Sequence, residues 1–142
     1  MFKRNYWNVK IGALNAGNNV LALHLDVSSE EEWKIVVQKT IEQFDKIDIL
    51  VNNAGIIIMK GVLETDLKDW NKVLSINTTS VFLGSREVIP HMQKIGIGSI
   101  VNISSIAALI SGENGDAGAA AYSSQFCSPG ANLHASFDEC WS

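Results

Sequence analysis

Two short apolar runs separated by a helical pattern constrain the fold of this chain more than any other feature. Residues 19–25 and 47–51 are almost entirely apolar, which is typical of buried strands in a parallel sheet. Between them, the Ser-Ser-Glu-Glu-Glu sequence at residues 28–32 forms a capping box, and apolar residues follow at helical spacing from Trp33 to Phe44. A strand, a helix and a second strand in this order predict a right-handed βαβ unit and therefore an α/β fold.

A second helix and a third strand follow. Residues 66–93 carry a stripe of side chains three or four residues apart, which predicts one long helix that Pro90 is expected to end or kink. Gly96-Ile97-Gly98 then breaks the chain before a third apolar strand at residues 99–103. Asn77 is unusual because an amide within an apolar stripe needs hydrogen-bond partners. The members of the stripe are Leu67, Trp70, Leu74, Asn77, Val81, Ser85, Val88 and Met92.

Composition narrows the classes of function. The chain has 142 residues, of which 46% are hydrophobic, and 11 Lys+Arg against 15 Asp+Glu give a net charge of −4. This composition favours one globular domain with its own core, and the acidic balance argues against a nucleic-acid partner. Its apolar runs are too short for a membrane span, and no signal peptide is recognisable. Cys127 and Cys140 fit no disulfide scaffold, so we expect a reducing, cytoplasmic location. The histidines and cysteines lack metal-ligand spacing, so no metal site is expected.

Polar and small residues follow each predicted strand at its carboxyl end, where open α/β sheets bind their ligands. Asp26 follows the first strand, Asn52-Asn53-Ala54-Gly55 the second, and Ser104-Ser105 the third. Each also has a plainer interpretation. Asp26 can cap a turn, Asn and Gly are common in ordinary turns, and the serines can cap a strand end. Asn77, taken alone, fits a buried structural amide as well as a functional one.

In combination these residues resemble the short-chain dehydrogenase/reductase family over roughly residues 18–125. The resemblance implies a partial Rossmann-like, doubly wound parallel sheet that contains the strands corresponding to the family's third, fourth and fifth. It also implies an NAD(P)-dependent oxidoreductase that interconverts a secondary alcohol and a ketone by hydride transfer. The motifs that carry it are, in order, Asp26-Val27, Asn52-Asn53-Ala54-Gly55, Asn77, Val101-Asn102-Ile103-Ser104-Ser105 and Tyr122-Ser123-Ser124.

The resemblance assigns cofactor contacts to two of these motifs. Asp26 and Val27 would contact the adenine of NAD(P), and Asn53, Ala54 and Gly55 would line the ribose and nicotinamide side. The residue that distinguishes NAD from NADP normally follows the family's second strand, which has no counterpart here, so the choice between the two stays open.

The resemblance also assigns the chemistry. Ser105 would orient the substrate oxygen, Tyr122 would exchange its proton as general acid/base, and Asn77 would anchor a water of the proton relay. The substrate would be a small alcohol or ketone. Because the long helix forms a subunit face in complete family members, residues 66–93 imply a homo-oligomer.

Two departures from the family pattern weaken these expectations. The family has a lysine four residues after its tyrosine, and here that position is Phe126. Without a neighbouring cation the phenol of Tyr122 keeps a pKa near ~10, so about one in a thousand is ionised at pH 7. The glycine-rich turn that holds the pyrophosphate is missing as well, because Gly12 and Gly17 have the wrong spacing. We therefore expect weakened cofactor binding and impaired or no activity.

The missing elements also affect the sheet. Without the family's first two strands, either the sheet rearranges or residues 20–25 lie unpaired with their apolar faces exposed. Residues 1–17 and 126–142 match nothing in the family pattern, so the chain is expected to be a single partial domain, an internal piece produced by truncation or a frame change. The alternative to an enzyme is a non-catalytic degenerate fragment, either inert or pairing with a full-length relative.

Overall fold

The computed structural model describes residues 20–105. Within that range, two strands pair in parallel and in register from Ile49 opposite Ser99 to Asn52 opposite Asn102. The crossover between them is helical, which confirms the partial α/β, Rossmann-like class. In chain order the elements are α1 (Glu30–Phe44), β1 (Ile49–Asn52), α2 (Leu67–Leu74), a π-helical turn (Ser75–Thr79), α3 (Ser80–Ile95) and β2 (Ser99–Asn102).

The capping box at the start of α1 forms as the sequence predicts. The Ser29 hydroxyl accepts a hydrogen bond from the Glu32 backbone N–H at 3.3 Å, which satisfies one of the free donors of the first turn. Three glutamates occupy that turn, where the helix dipole favours negative charge. Trp33 and Val37 are the buried residues of the helix and carry its contact with the core.

The predicted single helix at residues 66–93 is wrong in its details. Asp66 caps α2 by accepting the Asp69 N–H, but the π-helical turn interrupts the α-helical repeat before α3 begins. Pro90 lies inside α3, which continues to Ile95. Because Pro90 is exposed, water can solvate the carbonyl group that the missing proline N–H leaves without a partner.

The π-helical turn also changes which side chains are buried. The sequence stripe placed Leu67 and Val81 on the inner face, whereas Leu67 is 76% exposed and Val81 is only partly buried. Val73 and Leu83, which the stripe did not contain, are buried instead. A turn that is wider than an α-helical one rotates the following residues about the helix axis, which a pattern of constant period does not anticipate.

The predicted first strand does not form over the part that the structure describes, residues 20–25. A strand needs a hydrogen-bonded neighbour, and within residues 20–105 the sheet contains β1 and β2 alone. Of the two expected outcomes, the structure therefore shows the unpaired one. Val20 and Leu21 are exposed, while Leu25 packs against the core.

The core lies between one face of the sheet and the helices. Leu50 and Ile100 point into it, and the alternate positions Ile49, Val51 and Val101 are exposed. The buried residues against which the inner face packs are Trp33, Val37, Leu83, Val88 and Met92. One face of this apolar sheet is thus covered and the other is not, within the described range.

Several expectations fall outside the described residues. They concern Tyr122, Phe126, the glycines at 12 and 17, and the two ends that were expected to match nothing in the family pattern, 1–17 and 126–142. In the range 20–105, none of the helices is long and apolar enough to span a bilayer. The same range contains no group of three or more His, Cys, Asp or Glu side chains that could hold a metal ion.

Candidate active site

The carboxyl ends of the two strands are joined by a pair of asparagines. Asn52 and Asn102 are opposite each other in the register, and Nδ2 of Asn52 donates to Oδ1 of Asn102 at 2.9 Å. One step further, the Ile103 N–H donates to the Asn52 carbonyl at 2.9 Å. Because these contacts hold the strand ends side by side, residues 53–55 and residues 103–105 leave the sheet at the same edge.

Asn77 holds the chain that follows this edge. Its Oδ1 accepts the Ile56 N–H and its Nδ2 donates to the Ile56 carbonyl, each at 2.8 Å. The expectation that this amide must find hydrogen-bond partners is confirmed, and its partners are backbone groups 21 residues earlier in the chain. The residue lies within the π-helical turn, a local form that is frequent at functional sites.

The structure brings Asn77 close to the predicted nicotinamide-side residues. A Cβ atom built on Gly55 would lie 3.6 Å from the Asn77 Oδ1, an ordinary contact distance. Asn53, Ala54 and Gly55 are all exposed at the carboxyl edge, and Ser105 is half-buried next to it in the chain leaving β2. Asn77 therefore lies next to Gly55, and Ser105 follows β2 at the same edge of the sheet, whereas Tyr122 lies outside the described residues.

Asp26 forms a tight turn with Ser28. Its Oδ1 accepts two hydrogen bonds, from the Ser28 hydroxyl at 2.7 Å and from the Ser28 N–H at 2.9 Å. These bonds lower the pKa of the Asp26 carboxyl, the hydroxyl bond being the larger cause. Its backbone is engaged too, since the Asp26 N–H donates to Glu32 at 2.6 Å and its carbonyl accepts the Ser29 N–H at 2.9 Å.

The two backbone polar groups of Val27, its carbonyl and its N–H, differ in their hydrogen bonding. Its carbonyl accepts a hydrogen bond from the indole N–H of Trp33 at 2.9 Å. Its own N–H has no hydrogen-bond partner among residues 20–105, and over the same range the Asp26 Oδ2 accepts none. The turn thus presents one donor and one ionised acceptor on neighbouring residues.

Sequence reasoning missed two residues of this region. Trp33 was placed in the core stripe of α1 without a role at the turn, and Gly84 was not considered. A Cβ on Gly84 would lie 2.8 Å from the Trp33 ring and 3.1 Å from the Asn52 Oδ1. Only the position of a large indole directly after a capping box could have indicated this packing.

A parallel strand pair with a helical crossover, and with small and polar residues at its carboxyl edge, defines an α/β protein of the Rossmann type. The model of the short chain dehydrogenase family matches residues 4–125. The chain therefore belongs to that family. The match includes the whole of residues 18–125 that carry the sequence resemblance, and it extends over residues 4–17, which were expected to match nothing in the family pattern.

Named relatives are dehydrogenases. The chain is 45% identical to the cyclopentanol dehydrogenase of Comamonas sp. over 106 residues, which cover 75% of this chain and 41% of that enzyme. It is 44% identical over 101 residues to the trans-4-hydroxycyclohexanecarboxylate dehydrogenase of Sinomonas cyclohexanicum, covering 71% of this chain and 39% of that enzyme. The chain thus spans about two fifths of the length of these relatives.

A solved structure shows the same fold. The structure described as ElxO with NADP bound superposes with a TM-score of 0.73 at 34% sequence identity. The similarity covers 87% of this chain and 50% of that one.

Proposed function

We propose that the protein is an NAD(P)-dependent oxidoreductase that interconverts a secondary alcohol and a ketone by hydride transfer. The observation that carries the proposal is the paired strand ends. Asn52 and Asn102 hold the predicted nicotinamide-side residues 53–55 and the predicted catalytic Ser105 at one edge of the sheet.

The donor set of the Asp26 turn fits the adenine end of NAD(P). Adenine carries an acceptor nitrogen beside its amino group, and the turn offers the Val27 N–H beside the Asp26 Oδ2. An aspartate is ionised at neutral pH, and the lowered pKa of Asp26 keeps it so in more acidic solution, so the carboxylate can accept from the amino group. Asn53, Ala54 and Gly55 would hold the other end, where their exposure leaves room for a ribose and a nicotinamide.

In the proposed reaction the protein positions the substrate oxygen and moves one proton. NAD(P) would supply the hydride chemistry. Ser105 would hydrogen-bond the oxygen of the substrate, and Tyr122 would donate a proton to it in ketone reduction or remove one in alcohol oxidation. Asn77 would anchor a water of the proton relay. The two hydrogen bonds between its side chain and the Ile56 backbone support a fixed position for that part of the chain.

A second candidate function is that of a non-catalytic family member, inert or paired with a full-length relative. Phe126 favours it, because no lysine follows Tyr122 at the family spacing to lower the phenol pKa or hold the ribose. The exposed side chains of Ile49, Val51 and Val101 also favour pairing, since they form an apolar sheet face that a partner would cover.

The proposed substrates are cyclic secondary alcohols and their ketones. Two relatives are named for such alcohols, a cyclopentanol and a hydroxycyclohexane carboxylate. The proposed assembly is a homo-oligomer through residues 66–93, and Leu67 and Phe82, exposed by 76% and 59%, support an interface there. The proposed compartment is the cytoplasm, on the ground of the two unscaffolded cysteines.

Cofactor titration followed by turnover tests the proposal. Purified chain is titrated with NADH and NADPH by nicotinamide fluorescence, then assayed with cyclopentanone and cyclopentanol. We expect weak but saturable binding and slow ketone reduction that Tyr122→Phe abolishes, whereas the other tyrosine variant, Tyr6→Phe, retains it. Absence of binding at millimolar cofactor would instead support the non-catalytic candidate.

A further inference from the structure

Trp33 links two parts of the molecule that are distant in sequence. Its indole N–H donates to the Val27 carbonyl at 2.9 Å. The far edge of the same ring lies against Gly84 of α3, where a built Cβ would be 2.8 Å from the Trp33 Cη2. The side chain is 7% exposed and belongs to the buried core. One rigid ring therefore runs from the core to the turn that carries Asp26 and Val27.

The Trp33 side chain connects the turn at Asp26 and Val27 to the packing around Gly84 of α3. Two other hydrogen bonds attach the turn to α1. The Asp26 N–H donates to the Glu32 carboxylate, and the backbone N–H of Trp33 donates to the Ser29 carbonyl at 3.2 Å. None of these bonds reaches α3 or the sheet. The Trp33 ring joins the Val27 carbonyl to the packing around Gly84 and Asn52, and it adds a directional hydrogen bond to the apolar contact that the Val27 side chain makes with the core.

We infer that Trp33 is a positioning residue that aims the Asp26 carboxylate at an adenine ring. The inference rests on the proposed function for its ligand. The Val27 carbonyl belongs to the peptide between Val27 and Ser28, whose N–H donates to the Asp26 Oδ1 at 2.9 Å, so fixing this peptide holds the Asp26 carboxylate in a single direction. An acceptor held in one direction binds without the entropy loss of ordering it on contact.

The absence of a side chain at Gly84 allows the Trp33 ring to lie directly against α3. Because a Cβ there would overlap the Trp33 ring, any larger residue pushes the indole outward and away from its present position beneath Val27. Gly84 also faces the Asn52 Oδ1, so the same packing point touches the asparagine pair at the strand ends. The adenine-side turn and the carboxyl edge of the sheet share this one contact region.

Backbone amide exchange by NMR on the full chain tests the inference without any ligand. Trp33→Phe keeps an aromatic ring and removes the N–H donor, and Gly84→Ala displaces the ring. Both variants should speed exchange of the Asp26, Ser28 and Ser29 amides several-fold, and Trp33→Phe, which leaves the contact between Gly84 and Asn52 intact, should leave β1 and β2 unchanged. Unchanged exchange at the turn, or equal acceleration throughout β1 and β2 in Trp33→Phe, would overturn the inference. Trp70→Phe, which removes an indole N–H from α2, is the matched control.

Binding of AMP and of nicotinamide mononucleotide tests the ligand. We expect Trp33→Phe to weaken AMP binding about three- to tenfold, the worth of one hydrogen bond, and to leave nicotinamide mononucleotide binding unchanged. Equal weakening of both, or of neither, would contradict the positioning role. If the unmodified chain binds neither nucleotide, the proposed function fails, and the exchange experiment still decides whether Trp33 orders the turn.

One measurement needs no variant of Trp33. In the unmodified chain, the Trp33 indole N–H resonance should shift on addition of AMP, whereas that of Trp70 should not. A Trp33 signal that is insensitive to saturating AMP would overturn the inference.

Discussion

The side-chain amide of Asn77 and the backbone of Ile56 form two hydrogen bonds of 2.8 Å each, one in each direction. An asparagine that pairs in this way mimics a neighbouring strand, because it satisfies both the N–H and the carbonyl of one residue. The pair fixes the chain directly after Gly55, so the position of the predicted nicotinamide-side residues depends on a side chain from the helical crossover.

Replacing Asn77 by leucine should destabilise the fold. The Asn77→Leu variant keeps the volume but leaves the half-buried N–H and carbonyl of Ile56 without partners, at a cost of about 2 kcal/mol. Urea unfolding measures the loss in free energy of unfolding. Asn71→Leu, at an exposed position of α2, is the control and should change it little. Equal effects of the two substitutions would show that the Ile56 pairing contributes nothing.

Removing the cap of α1 should cost more than the equivalent change before α3. Ser29 caps α1 through its hydroxyl, whereas Thr79 makes no side-chain cap bond to α3. We expect Ser29→Ala to lower the free energy of unfolding by about 1 kcal/mol. Thr79→Ala should leave it nearly unchanged, and thermal unfolding of both variants checks the difference. A larger loss in Thr79→Ala would contradict the capping geometry.

The Asp26 turn should loosen in acid. Hydrogen bonds from Ser28 lower the folded-state pKa of Asp26 below its ordinary 3.8, so the unfolded chain takes up the proton first as the pH falls. The stabilisation is therefore complete above the ordinary pKa and is lost as the pH falls through the lower, folded value. NMR titration of the carboxyl measures this shift. Ser28→Ala, which removes the hydroxyl donor, should move the pKa back toward 3.8, and no movement would exclude the hydroxyl as the main cause.

Restoring a lysine after Tyr122 should increase alcohol oxidation. A cation four residues later on the chain would lower the phenol pKa from its usual value near ~10 and raise the ionised fraction at neutral pH. We expect Phe126→Lys to raise kcat/KM for cyclopentanol oxidation and to shift its pH profile toward lower pH. Phe137→Lys adds the same charge elsewhere and should do neither. An identical profile in both variants would mean that Phe126 does not limit the reaction.

Local signals predicted much of the fold. The capping box defined the start of α1, and the apolar runs located β1 and β2 to within two residues. The strand expected at residues 19–25 is absent over its described part because an apolar run becomes a strand only where a neighbour completes its hydrogen bonds. Propensity is local, whereas a ladder depends on residues elsewhere in the chain.

The candidate site was predictable in type rather than in contacts. The motif order identified Asn77 and the carboxyl edge, but the partner of Asn77 lies 21 residues earlier in a loop without a regular pattern. The sequence did not predict the π-helical turn because its residues differ little from those of an ordinary helix. Trp33 was missed because an indole in a core stripe gives no sign of where its N–H points.

The in-register asparagine pair has a consequence for how the length of this chain can change. Side chains alternate across a strand, so a slip of one residue between β1 and β2 would turn Ile100 out of the core and separate Asn102 from Asn52. Insertions and deletions inside the strands therefore lower the stability of the fold in two ways, because apolar burial is lost and a side-chain amide is left unpaired. The connection between Ile56 and Asp66 pairs with neither strand, so its length is not tied to this register. We expect natural variation in length to accumulate there while the edge that carries the predicted site residues stays in place.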